Sequence, residues 1–242
     1  MFLGNRSHFI RFVAAVAVAA IVPAEAARSS GKIAVDLELV LAVDISGSMN
    51  AQESALQRQG YAAALSDTSF LRAIEAGPLG RIAVAYVEWA GADRQSLSVP
   101  WQIIDNLESA RAFAAKIDIA PRNSARGTSI SGVMDFAGGL VAGNEYDGQR
   151  KVIDISGDGP NNAGRPVLLA RSETAYLGIT INGLPILVPG ENVIENLDDY
   201  YAECVIAGPG AFSLPVRGSK EFLISIKRKL ILEVSGISRS NR

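Results

Sequence analysis

Histidine is nearly missing from this chain, and the position of its single copy, His8, matters more than its rarity. His8 lies among Arg6, Arg11, an apolar run at 12–22 and the small-x-small sequence Ala24-Glu25-Ala26. That is the pattern of an exported signal peptide. The expected signal is 1–26, cleaved after Ala26, which sends the mature chain to the periplasm or the medium without any histidine. Such a chain has no Ser-His-Asp or Cys-His arrangement and no His-ligated zinc site. Cysteine is equally scarce. Cys204 stands alone, so no intrachain disulfide forms despite the oxidising destination. Within Ala202-Glu203-Cys204-Val205-Ile206 it reads as a small buried apolar side chain rather than a reactive thiol.

Basic tracts are absent as well. The chain carries 23 Lys+Arg and 25 Asp+Glu, a formal charge of −2. Loss of Arg6, Arg11 and Glu25 with the signal leaves −3. Slight acidity without a basic cluster argues against a nucleic-acid partner. The apolar run of the signal is short for a bilayer, so no membrane span is expected after cleavage.

What is present suits one domain. With 48% hydrophobic residues the chain can build one sizeable core. The expected division is signal 1–26, leader 27–34, domain 35–236 and flexible tail 237–242. Strands are expected at 39–43, 81–90, 95–103, 151–156, 179–184 and 211–216. Helices are expected at 51–65, 68–76, 107–117, 128–141, 165–176, 197–206 and 220–234, with Asp67 and Ser219 as caps. Leu56, Gly60, Ala63 and Ala64 form a small-residue packing face, and Phe222, Ile226, Leu230 and Val234 face inward at i, i+4 steps. Lys227-Arg228-Lys229 reads as a solvated face near a helix C-terminus. Trp89 and Trp101 read as packing residues. Strands alternating with helices predict a doubly wound α/β fold, a mostly parallel sheet with helices on both faces. Gly91-Ala92-Asp93-Arg94 turns a hairpin that adds one antiparallel edge strand, and Pro100 suits an edge.

The chemistry gathers at strand ends. After the apolar run at 39–43 come Asp44, Ser46 and Ser48 at alternate positions around Gly47. Three small oxygen-bearing side chains there fit part of a hard-cation site. They fit equally a strand end whose Asp and Ser satisfy turn amides and cap the next helix. Thr128 follows a glycine at the start of a later helix, and Asp158 stands in an Asp-Gly turn after a strand. Asp154 and Ser156 nearby read as structural or as supports behind such a site, and Asn161 and Asn162 could rim a ligand site, though turn chemistry explains them as well.

In this order the three loops resemble the metal-ion-dependent adhesion site of von Willebrand factor A (VWA) domains, over roughly 35–234. Gly178-Ile-Thr-Ile-Asn-Gly-Leu-Pro-Ile and Tyr200-Tyr-Ala-Glu-Cys-Val-Ile-Ala-Gly-Pro-Gly-Ala-Phe are similar to secreted bacterial VWA-like proteins of unassigned function. The resemblance implies one divalent ion, Mg2+ or else Mn2+ or Ca2+, held by Asp44, Ser46, Ser48, Thr128 and Asp158. It implies an open coordination position for an Asp or Glu carboxylate of a protein partner. Arg122 and Arg126, before Thr128, are placed to steer such a partner. The expected role is an exported binding module for adhesion or assembly, not an enzyme. The alternatives are a metal-assisted hydrolase of phosphoesters or esters, which lacks a histidine base, and a structural VWA-like domain without metal.

Overall fold

Along β1, Ile33–Asp44, odd and even residues enter different apolar layers. Leu37, Leu39, Leu41 and Val43 join one core cluster, and Val40 and Ala42 the other. A strand dry on both faces must be central, and β1 is. The structure, a computed structural model, describes residue 1 and residues 31–47, 51–119, 125–187, 194–218 and 221–236. The chain divides into Met1–Gly31 and Lys32–Arg242, and every element below belongs to the second unit.

β1 pairs in parallel with β2, Ile82–Trp89, and with β4, Tyr146–Gly157. β3, Gln95–Ile104, runs antiparallel to β2, and β5, Thr180–Pro185, runs parallel to β4. The order is β3-β2-β1-β4-β5. The chain builds outward from β1 to β3, then crosses to β4 on the other side. Strand order therefore reverses between β1 and β4, where a crevice opens beyond the carboxyl ends. Pro100 is exposed on the edge strand β3.

The layers divide the helices. Against the face of Leu37, Leu39 and Leu41 pack α1 (Ala51–Leu65), α2 (Thr68–Glu75), α3 (Leu107–Ile119) and α7 (Phe222–Ser235). Against the face of Val40 and Ala42 pack α4 (Ile130–Gly143), α5 (Val167–Tyr176), α6 (Leu197–Tyr200) and a π-helical turn, Tyr201–Val205. Each large apolar side chain fully buried in these layers contributes about 1.5–3 kcal/mol relative to exposure. α1 approaches α7 closely at Gly60, where a Cβ would lie 2.5 Å from Ile226 Cδ1.

Several expectations are corrected. β1 begins at Ile33, inside the expected leader, because Ile33–Val35 already pair with β4. β4 begins at Tyr146 rather than 151, its start anchored by the Tyr146 ring against Trp101 at 6.1 Å. The strand expected at 211–216 is reduced to bridges at Ser213 and Val216, since Pro215 has no N–H for a continuous ladder. The helix expected at 197–206 is α6 continued by the π-turn. Ala63 is exposed, and Cys204 is half-buried rather than buried. The sharpest departure is Lys229, expected in solvent but fully buried between Asp154 and Glu233. Position 229 is on the inward stripe with Ile226 and Leu230, so the helical phase overrides the charge run. The signal 1–26, the tail 237–242, Ser48, Arg122 and Ser219 lie outside the described residues.

Candidate metal centre

Asp44 ends β1 in the even-numbered phase, so its side chain enters the layer that holds Trp89 and Tyr201. It is fully buried. Its Oδ1 accepts the Ser46 N–H at 2.7 Å, an Asx-type turn that folds the loop back on the strand end. Its Oδ2 makes no well-formed hydrogen bond among the described residues. A buried, half-satisfied carboxylate is costly. Burial first, and then the charge of Asp158, push the Asp44 carboxyl up to about 7, against the pull of the Ser46 bonds and of the Asp158 backbone N–H.

The other loops converge on the same crevice. Ser46, almost fully buried, bridges Ala125, and Ile45 N–H donates to Trp89 O at 2.8 Å. This ties the Asp44 loop to the segment leading into Thr128. Thr128, also buried, is held through its backbone. Its N–H donates to Asn162 Oδ1 at 2.8 Å, and its carbonyl accepts the Asn162 N–H at 2.8 Å. Asn161 Oδ1 accepts the Ser131 N–H at 2.9 Å. Asn161 and Asn162 therefore lock the Asp158 loop to the start of α4. Their Asx character was legible, but not that they clamp a loop some 30 residues earlier in the chain.

Gly157 makes the convergence possible. A Cβ at this position would lie 2.9 Å from Asp44 Oδ2, 2.8 Å from the Tyr201 hydroxyl and 3.3 Å from Trp89 Cζ2. A Cβ on Gly159 would lie 3.7 Å from Thr128 Oγ1. The glycines on either side of Asp158 thus face the Asp44 carboxylate and the Thr128 hydroxyl. The structure brings Asp44, Ser46, Thr128 and half-buried Asp158 to one place. Tyr201, missed by sequence reasoning, borders it through a buried hydroxyl that has no hydrogen-bond partner among the described residues. Burial and the charges of Asp44 and Asp158 raise its phenol well above the ordinary range. A tyrosine in the apolar stripe of a helix gives no sequence sign of such a place.

The donors fit a hard divalent cation. They are all oxygens, two of them from carboxylates that repel each other, and one carboxylate oxygen is buried without a well-formed hydrogen bond. Among the described residues no group of three or more His, Cys, Asp or Glu is placed to hold a metal; the other oxygen-bearing side chains at this place are the hydroxyls of Ser46 and Thr128. Beside the crevice opens a cleft of about 700 Å³, lined by Ile45, Glu88, Asp93, Arg94, Ala125 and Arg126. Arg126 and Arg94 are exposed there. On its floor Glu88 pairs with buried Arg58.

Solved structures share this architecture. A pilus adhesin, SpaC from Lactobacillus rhamnosus GG, superimposes with a TM-score of 0.63 at 12% identity, over 84% of this chain and 31% of that one. Proximal thread matrix protein 1 of the mussel byssus, in a form with a zinc-occupied MIDAS motif, gives 0.57 at 16% identity, over 83% and 47%. The vWF domain of the type V pili tip protein Mfa5 from Porphyromonas gingivalis gives 0.58 at 11% identity, over 86% and 98%. The chain thus spans about a third of the adhesin and about half of the byssus protein. No curated protein matches in sequence. At these identities the likeness establishes the fold, and the fold defines a VWA-like domain. Within that class, the chain belongs to the family described as "Protein of unknown function (DUF1194)", which matches residues 34–238.

Proposed function

We propose that this protein is an exported, metal-dependent protein-binding module for adhesion or assembly. Asp44, Ser46, Ser48, Thr128 and Asp158 would hold one divalent ion, Mg2+ or else Mn2+ or Ca2+. The ion would supply a Lewis-acidic position open to a carboxylate from an Asp or Glu of the partner. Two carboxylates balance a divalent charge, while hydroxyls donate weakly and leave the ion electrophilic towards a further anion. The observation that carries the reading is the buried Asp44 Oδ2, which makes no well-formed hydrogen bond among the described residues and faces the glycine before Asp158. Exposed Arg126 and Arg94 at the rim would favour approach by an acidic surface.

Export rests on the signal pattern at 1–26. It agrees with the absence, among the described residues, of any helix long and apolar enough to cross a membrane. A non-enzymatic role rests on the lack of a mature histidine and of a second carboxylate pair. The similar structures named as adhesins and matrix proteins point the same way.

Calorimetric titration with Mg2+ and Mn2+ tests the proposal. The expected result is one ion per chain, a rise in Tm on binding, and loss of both in Asp44→Ala and Asp158→Ala. Equal Tm in EDTA and in millimolar Mg2+, with no binding heat, would overturn it.

A further inference from the structure

Among the described residues Lys229 is a fully buried amine that the metal reading leaves unused, and its surroundings are chemical rather than merely ionic. Its Nζ lies 2.5 Å from Asp154 Oδ1 on β4 and 2.6 Å from Glu233 Oε1, one turn along α7. Lys229, Asp154 and Glu233 are all at most 1% exposed. The Phe212 ring closes the other side, its centroid 5.0 Å from Nζ. Glu233 is oriented by Asn182, whose Nδ2 donates to Oε2 at 2.6 Å. The bond from Lys229 to Glu233 is a well-formed hydrogen bond. The approach to Asp154 is not. Lys229 does reach Asp154 Oδ1, but off the line of a well-formed hydrogen bond, and Asp154 Oδ2 has no hydrogen-bond partner among the described residues.

Left as ions, this cluster is expensive. Two charges in a dry interior lose hydration that mutual attraction repays only when every remaining lone pair is satisfied, and here one carboxylate is not. Burial raises the Asp154 and Glu233 carboxyls, with Lys229 opposing. Although burial pulls the Lys229 ammonium down, the charges of Asp154 and Glu233 raise it overall, so the free amine arises only as a carboxylate takes its proton. We propose that Lys229 and Asp154 condense into an intramolecular amide that staples α7 to β4, with Glu233 as the proton carrier.

The step balances within the cluster. Glu233 takes a proton from the Lys229 ammonium, freeing the Nζ lone pair to attack Asp154 Cγ. The C–N bond forms as one Asp154 oxygen leaves. The ammonium gives up two of its three protons, both of which depart with that oxygen as water, and Glu233 ends ionised as it began. One cation and one anion disappear together, so net charge is unchanged, and an unsatisfied buried oxygen is removed. Fixed proximity of amine and carboxyl supplies the large effective concentration that intramolecular reactions reach. A carboxyl in hydrogen-bond contact with the nucleophile meets the geometric requirement for general acid–base help. The inference is independent of the metal reading.

Tryptic mapping of the denatured full-length protein tests it. With the amide in place, Lys229 is not cleaved, and a branched peptide joins 152–171 to 229–239, lighter by one water than the two separate pieces. Recovery of 152–171 and 230–239 as unlinked peptides would overturn the proposal, and so would a link from Lys229 to any other residue. Glu233→Gln, which keeps the size and the fold by circular dichroism, is expected to give only unlinked peptides. A bond formed at the wild-type level in that variant would remove Glu233 from the mechanism.

Discussion

Asp44 is a residue placed against its own stability. Its carboxylate is desolvated, is repelled by Asp158 and has an oxygen without a well-formed hydrogen bond. Replacing it with Asn removes the charge and offers an N–H towards Asp158. We expect Asp44→Asn to raise metal-free stability by about 1–3 kcal/mol, the cost of a buried group left unsatisfied, while the Mg2+-induced rise in Tm disappears. Urea unfolding in EDTA and in Mg2+ measures both halves. An Asn variant no more stable than wild type in EDTA would mean that the crevice already satisfies this carboxylate. At this scale the sequence was partly legible. The alternation of Asp44, Ser46 and Ser48 put small oxygen-bearing side chains at a strand end, which suited a cation site and turn-and-cap roles equally, and the Asx-type bond from Ser46 N–H to Asp44 shows that one oxygen does serve the turn. Tyr201, Gly157 and Lys229 were not legible. Their roles depend on what faces them from distant elements, and a tyrosine, a glycine or a lysine in a charge run looks ordinary in isolation.

Among the elements, caps and phases decide. α2 starts at Asp67, whose Oδ1 accepts the Ser69 N–H at 2.7 Å. Lys227 of α7 reaches its other oxygen at 2.6 Å. The Lys227 bond first, and the Ser69 N–H after it, hold the Asp67 carboxyl below its ordinary value. A lowered carboxyl stabilises the fold fully above its unfolded-state pKa and loses that contribution as pH falls through the folded value. Asp67→Ala should therefore cost about 1 kcal/mol near pH 7, with the deficit shrinking as the solution is taken below about pH 4. Chemical denaturation of both proteins at pH 7 and pH 3 checks it, and an equal deficit at both would count against the ionised cap. Asp67 was readable as a cap because Asp before an amphipathic run has few other uses. The last strand was not, since Pro215 breaks a pattern that hydrophobicity alone continued. Nor was the π-turn, whose extra residue leaves no mark on composition.

For the whole molecule, periodicity was enough to foresee strands alternating with helices and one antiparallel edge. It could not give the order β3-β2-β1-β4-β5, which depends on long-range pairing. That order places β1 at the centre of the sheet, paired on both sides and with both faces dry. Its inner amides, 37–43, should exchange with solvent only through global unfolding, whereas those of β3, on the edge, should exchange through smaller openings. Hydrogen-exchange mass spectrometry distinguishes the two, and faster exchange in β1 than in β3 would contradict this hierarchy.

The guanidinium of Arg150 donates to the carbonyls of Glu233 and Val234 at 2.7 and 2.6 Å, which pins the last turn of α7 near the early half of β4. From Arg150 to Gly157 is seven residue steps along the strand, on the order of 23 Å. The start of β1, paired with Tyr146, lies on the same side. The two ends of the folded unit therefore emerge at one pole, and the Asp44 crevice occupies the other. Within this unit, a chain joined at either end therefore meets it at the pole opposite the crevice.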